Sequence, residues 1–238
     1  MLTIRAYRAV DDIPSCEKYA KGHEEVLLSY GITKVTSANY EWFYNPEVYV
    51  ISVEEGNRVL GGARIHGSGG NQPLPIEDAI GYMDGGIYDM VRNEDQDKSG
   101  ELCGLWNSKE IAGKGISVIL TKACVAKVGV AIANALELRQ LFVLCAPYTI
   151  KMVEEVGFKI INDLGEKGTF PYPKDDMLAT ALYIKDVDKL SSAANEKRQD
   201  IFDLRKEPQQ VRKEKGTKGW LELKYDLYIP FLDKKNED

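Results

Sequence analysis

A chain of 238 residues, 44% hydrophobic and 29% charged, has the make-up of an ordinary globular protein with room for one large domain or a domain plus an appendage. Its formal net charge of −6 argues against a broad nucleic-acid surface, which needs a basic face. Four scattered cysteines without a Cys-x-x-Cys pair, and only His23 and His66, argue against a histidine metal site and a Ser-His-Asp triad; reduced core thiols and no metal are expected.

The N-terminus carries early charges and no apolar leader, and no stretch reaches the roughly 20 apolar residues that span a bilayer. A cytoplasmic chain without a membrane partner is expected. Residues 2–9, LTIRAYRA, alternate and predict a half-buried strand. Asp11 and Asp12 open a helix, IPSCEKYAKGHEEVLLSYG, that stops at Gly31. VYVISVEEGNRVLGGARIHG reads as a hairpin about Glu55-Gly56-Asn57. Residues 66–78 are turn-rich and predict a loop, followed by one or two short helices broken at Gly85-Gly86.

ELCGLWN (101–107) predicts a strand. Residues 115–137 predict a helix too apolar on every side to lie on a surface, so it should pack against a sheet. RQLFVLCAP (139–147) is a strand, YTIKMVEEVGF a short helix ended by Gly157, Phe158 opens another strand, and 177–186 closes the series. Beyond Asp186 a charged stretch predicts a helix and then a flexible link. WLELKYDLYIP (220–230) alternates, with Leu221, Leu223, Tyr225, Leu227 and Ile229 on one dry face, and needs a partner in this sheet or in a second subunit, as in a homodimer. The order predicts an α/β sandwich around a mixed sheet. Residues 1–186 form its main domain, an insert spans about 66–99, and 187–238 form a helix-strand extension.

The loop before the long helix, EIAGKGIS (110–117), carries Gly113-Lys114-Gly115. It is not a Walker A loop, because Lys114 is followed by Gly115 and Ser108 stands where the first glycine belongs. It is not a GxGxxG loop either, because position 118 is valine. A strand, a bare loop and a helix start leave free amides at a positive helix end, which suits a phosphate or diphosphate. Read from the octamer alone, a simple tight turn is the equal alternative.

The wider stretch ELCGLWNSKEIAGKGIS resembles the central motif of the GNAT N-acyltransferase superfamily. Leu105, Asn107, Ile111, Gly113 and Gly115 fall on its strand and loop positions, and TIKMVEEVGFKII resembles the helix that ends in Gly-Phe. The resemblance covers residues 2 to about 186. It implies a mostly antiparallel GNAT-like sheet flanked by helices, with acetyl-CoA or another acyl-CoA as co-substrate. It further implies that Gly113, Lys114, Gly115, Ile116 and Ser117 hold the diphosphate while Leu105, Trp106 and Asn107 accompany the pantetheine arm. The chain departs from the pattern at Ala112, where the family carries Arg or Gln, at Ser117, and at Val153, where many members carry a tyrosine.

Moving an acyl group from a thioester to an amine needs a base, an oxyanion donor and a proton for the leaving thiolate. Counted back from Ala112, Glu101 falls on the glutamate that histone-acetylating members use as base, and alternation sets it on one face with Cys103, Leu105 and Asn107. Its bland alternative is a solvated strand-end glutamate. Tyr148 is the nearest substitute for the missing tyrosine, a backbone amide near Trp106 would serve the oxyanion, and Cys145 is read as a buried thiol rather than an acyl carrier. The acceptor pocket is expected from the first helix, the insert and residues 163–176, with Tyr40, Trp42, Phe43, Tyr44, Tyr82, Tyr88, Phe170 and Tyr172 as candidate lining. Arg64 and His66 are candidates to bind an acidic acceptor, against a salt-bridged or exposed alternative. The leading reading is an N-acyltransferase acting on a small or amino-acid-like amine. A long-chain N-acyl amino acid or acyl-homoserine-lactone-type synthase, and a degenerate acyl-CoA-binding or interaction module, stand beside it.

Overall fold

Alternation at the N-terminus becomes β1 (Leu2–Arg8), and the hairpin becomes β2 (Val48–Glu55) and β3 (Arg58–Gly67). The computed structural model describes residues 1–33, 39–92, 98–111, 116–216, 219–227 and 229, without the side chains of 123–126. Between the first two strands runs α1 (Ile13–Ser29), started by Asp12, whose carboxylate accepts the Ser15 amide hydrogen, and by a proline in the first turn. The insert supplies α2 (Pro75–Ile80) and α3 (Gly86–Arg92) before β4 (Ser99–Asn107). His66 and Gly67 finish β3 and Pro75 begins α2, so the loop expected over 66–78 is shorter than its turn-rich composition implies.

The long apolar helix is a rod of three consecutive pieces: α4 (Ile116–Thr121), a π-helical stretch (Lys122–Gly129) and α5 (Val130–Ala135). After it come β5 (Gln140–Cys145), α6 (Ile150–Glu154), β6 (Lys159–Ile160), β7 (Thr169–Pro171) and β8 (Leu178–Ile184). The C-terminal part forms α7 (Asn195–Lys206), β9 (Gln209–Gly216) and β10 (Gly219–Asp226). Among the described residues the strands make one sheet, ordered β6-β8-β5-β4-β3-β2-β1-β10-β9, with β7 also on β8. Every pairing is antiparallel except β4 with β5 and β1 with β10.

α1, α2 and α3 cover one face of this sheet, the front; the rod, α6 and α7 cover the back. The rod is apolar all round because it is buried twice. Leu120, Val128 and Ile132 share a core with Ile4, Ile51 and Leu102 of the sheet, and Ile201 and Leu204 of α7 close the same core from outside. No helix among the described residues is long and apolar enough to cross a membrane.

The flexible link expected after α7 is instead β9. Its alternation is one of half-buried Gln210, Arg212 and Glu214 against exposed Gln209, Val211, Lys213 and Lys215, so no hydrophobic period marks it. β10 sits between β1 and β9, with Leu223, Tyr225, Leu227 and Ile229 buried as their alternation predicts. Its two neighbours therefore belong to this chain, and the open edge at this end of the sheet is that of β9.

One buried cation ties the extension to the rod. Lys127 donates to both Glu214 oxygens, at 2.7 and 3.0 Å, and lies 3.1 Å from Asp200 of α7, while the Tyr225 hydroxyl donates to Glu214 at 2.7 Å. Lys127→Ala leaves Glu214 nearly buried without its cation and is expected to cost about 2–4 kcal/mol in urea unfolding. A change under about 0.5 kcal/mol would show the cluster to be solvent-screened.

Candidate active site

β4 and β5 run parallel and pair only at Ser99–Gln140, Gly100–Leu141 and Glu101–Phe142. Beyond Glu101 the strands part, and the edges that face one another carry no strand pairing. A cavity of about 230 Å³ opens there. Leu102, Leu105, Val143 and Cys145, whose side chains pack on the back, line it together with Glu101, Cys103 and Leu144 on the front. The cavity therefore passes through the sheet.

A bulge in β4 shapes the opening. On the β3 side, Gly62 faces Trp106 and Arg64 faces Cys103, so three steps along β4 oppose two along β3. The extra residue lies at Gly104-Leu105, with Gly104 at φ 61°, where a Cβ would meet the Tyr19 hydroxyl at 2.9 Å and Arg64 Nε at 3.1 Å. The Tyr19 hydroxyl donates to the Gly104 carbonyl and pins the bulge to α1. The bulge corrects the expected facing of this strand. Glu101 and Cys103 share the front, but Leu105 packs on the back core and Asn107 donates to Thr121 of α4 at 3.0 Å. Trp106 turns to the front beneath Gly22 of α1, where any Cβ would strike its ring.

Glu101 is 3% exposed, and its carboxyl accepts the Ile76 amide hydrogen of α2 at 2.6 Å. Burial pushes its pKa up to about 8. The Ile76 amide and the Arg64 charge oppose that rise, and Glu77 and Asp78 add to it. The solvated strand-end alternative is thereby excluded. Next to it, burial raises the Cys103 thiol to about 12 and the Cys145 thiol to about 11, so neither is a ready thiolate. His23, on the cavity wall, is pushed down to about 3 by burial and by Arg64, and stands neutral.

Several expected site residues lie elsewhere. Arg64 is fully buried, its guanidinium 4.1 Å from the Trp42 ring centre, and His66 sits opposite Glu101 with a pKa held well below its usual value by burial. Neither lines the cavity, and a buried neutral imidazole offers no charge to an acidic acceptor. Of the eight aromatic candidates only Tyr172 lines it; Trp42 and Phe43 pack with Tyr19 and Trp106, Phe170 belongs to the core under α2 and α3, and Tyr40, Tyr44, Tyr82 and Tyr88 are exposed.

Tyr148 stands at the cavity mouth, 80% exposed. Ile116 and Ser117 are half-buried in the first turn of α4, while Gly113, Lys114 and Gly115 lie outside the described residues. The wall also takes His23, Leu27 and Ile32 from α1 and the turn after it, Pro75 and Ala79 from the insert, and Pro173 from the 163–176 loop. Those three regions were legible as a pocket; the individual residues were not, although Tyr19, His23 and Leu27 do repeat every fourth residue along one side of α1. Among the described residues no cluster could hold a metal ion.

No family model matches the chain, and no curated protein matches it in sequence. Solved structures do match it. FeeM, an N-acyl amino acid synthase from uncultured soil microbes, superposes with a TM-score of 0.58 at 15% identity, over 82% of this chain and 99% of its own. BjaI, a CoA-dependent acyl-homoserine lactone synthase solved with SAM and isopentyl-CoA, gives 0.54 at 11% identity over 100% of both chains. MesI, a further CoA-dependent acyl-homoserine lactone synthase, gives 0.53 at 14% identity over 85% of this chain and 95% of its own. The chain has the fold of the GNAT N-acyltransferase superfamily, a mixed sheet flanked by helices.

The raised pKa of Glu101 has a sign for stability. Between its ordinary value of 4.5 and about 8, the folded chain holds a proton that the unfolded chain has lost, so stability falls as pH rises through that window. Glu101→Gln is expected to remove this slope and to gain at least ~1 kcal/mol on the parent between pH 5 and pH 9 in denaturant melts. Parallel pH profiles for the two proteins would mean that Glu101 is solvated.

Proposed function

We propose that the protein is an acyl-CoA-dependent N-acyltransferase, moving an acyl group from the thioester to the amine of a small molecule by direct attack. The observation that carries this reading is the cavity that crosses the sheet where β4 leaves β5, with a buried carboxyl in its wall. An extended pantetheine arm fits such a gap, because the facing edges of Leu102–Leu105 and Val143–Cys145 lack strand partners. The diphosphate is assigned to the first turn of α4, at Ile116 and Ser117, with the amides of Gly113, Lys114 and Gly115. On this reading Leu105 accompanies the arm with its side chain, and Trp106 and Asn107 hold the strand that carries it.

In the reaction the amine nitrogen bonds to the thioester carbonyl carbon and loses a proton to Glu101. A backbone amide of the Gly104-Leu105 bulge donates to the oxygen as it gains charge, and the carbon–sulfur bond then breaks. Tyr148, at the mouth, gives the leaving thiolate its proton. A pKa near 8 suits a base that must work near neutrality on a substrate amine. BjaI, of like fold, was solved with an acyl-CoA, in keeping with such a donor here.

A second reading, a donor with a longer chain as in the synthases of like fold, is favoured by a cavity larger than an acetyl group needs. Calorimetric titration with acetyl-CoA and octanoyl-CoA separates the two, and no binding of either at millimolar concentration would leave only an interaction module.

For the transferase, kcat/KM is expected to rise with pH and level off above about 8. Glu101→Gln should abolish that rise and lower kcat about 10²-fold, with acyl-CoA affinity kept. Unchanged turnover in this variant would remove Glu101 from the chemistry. Tyr148→Phe is expected to slow turnover about 10-fold, and a rate equal to the parent's would assign the thiolate proton to water.

A further inference from the structure

The front half of the cavity has an unusual balance of walls. Leu27, Ile32, Pro75, Ala79, Leu144 and Met177 give it an aliphatic surface, and the polar side chains that line the cavity are Glu101, Cys103, His23, Tyr148, Thr149 and Tyr172, none of them a cation at neutral pH. Among the described residues that line the cavity there is no lysine and no arginine. The nearest buried cation, Arg64, stacks on Trp42 and bonds to the Cys103 thiol beside it, outside the lining. His23 holds no charge at neutral pH. A carboxylate brought into this space would lose its water and meet another carboxyl instead of a counter-ion, which is costly.

Two occupants could use an aliphatic chamber, the chain of the acyl donor or the body of the acceptor. Glu101 decides between them. An acyl chain has nothing to offer a buried carboxyl, whereas an amine can hydrogen-bond to it.

Resting on the transferase reading above, we infer that the acceptor is a primary amine on an apolar alkyl or aryl body that carries no carboxylate beside the nitrogen, and that the front chamber selects for it. The selection works by exclusion: the free amino acid of the same body is rejected because its carboxylate finds no lysine or arginine among the described residues of these walls.

The test uses the unmodified protein with acetyl-CoA and a matched pair, 2-phenylethylamine and phenylalanine, which differ only in the carboxylate, and reads CoA release. The amine is expected to exceed the amino acid in kcat/KM by at least about 10²-fold. Leu27→Lys, which sets a cation on the cavity wall, is expected to cut that ratio at least about 10-fold. Equal or better use of phenylalanine overturns the inference, and so does acetyl-CoA binding without acylation of either amine. It is overturned too if lengthening the donor from acetyl to octanoyl raises kcat/KM while the two acceptors stay equivalent, since the chamber then belongs to the acyl chain. If calorimetry shows no acyl-CoA binding at all, the transferase reading itself falls, an outcome separate from these.

Discussion

One extra residue in one strand organises the site. Where β4 passes β3, the Gly104-Leu105 bulge inserts a step that the partner lacks, and the Tyr19 hydroxyl holds the resulting carbonyl against α1. A bulge bends its strand, and β4 parts from β5 over the same stretch, leaving unpaired edges on either side of a gap. The same inserted step reverses the facing of the last three strand residues, so Leu105 joins the back core, Trp106 anchors α1 in front and Asn107 reaches Thr121 behind. A short glycine-bearing segment thus opens the sheet and fastens the strand to both of its helical layers.

Charge around that gap is arranged by burial. Glu101 keeps a proton near neutrality because water is excluded, and Arg64, Glu77 and Asp78 adjust how tightly it is held. Arg64 is packed on aromatic faces rather than presented to the cavity, so its field reaches Glu101, Cys103 and His23 without making a cationic wall. His66 and His23 are neutral for the same reason. Among the described residues that line it, the chamber has a buried carboxyl and no lysine or arginine, in keeping with the amine acceptor proposed above.

The C-terminal residues extend the sheet past β1 and cover the rod from outside. Lys127 lies within the π-helical stretch of the rod, where it meets Glu214 of β9 and Asp200 of α7. Since the rod begins at the proposed diphosphate position, the extension braces the helix on which donor binding would depend. Its place in the sheet also gives the dry face of β10 the partner that its alternation demanded.

Much of the fold was legible in the sequence, because apolar periodicity reports which faces avoid water. β1, the β2–β3 hairpin, α1, the doubly buried rod and the alternating face of β10 all come from that pattern, as the choice of Glu101 comes from the motif around it. β9 was not legible: its half-buried face is made of Gln210, Arg212 and Glu214, polar residues whose partners lie in α7, in the turn before β9 and, for Glu214, in the rod. Nor were the roles of Trp106 and Asn107, since a one-residue bulge changes which face a strand residue joins and period-two counting has no term for it, nor those of Arg64 and His66, whose burial depends on what packs over β3. Local sequence determined where strands and helices form and which residues could do acid–base chemistry. Only the tertiary structure decided which of those residues share a cavity and which are sealed away, because facing and burial depend on neighbours brought together from distant parts of the chain.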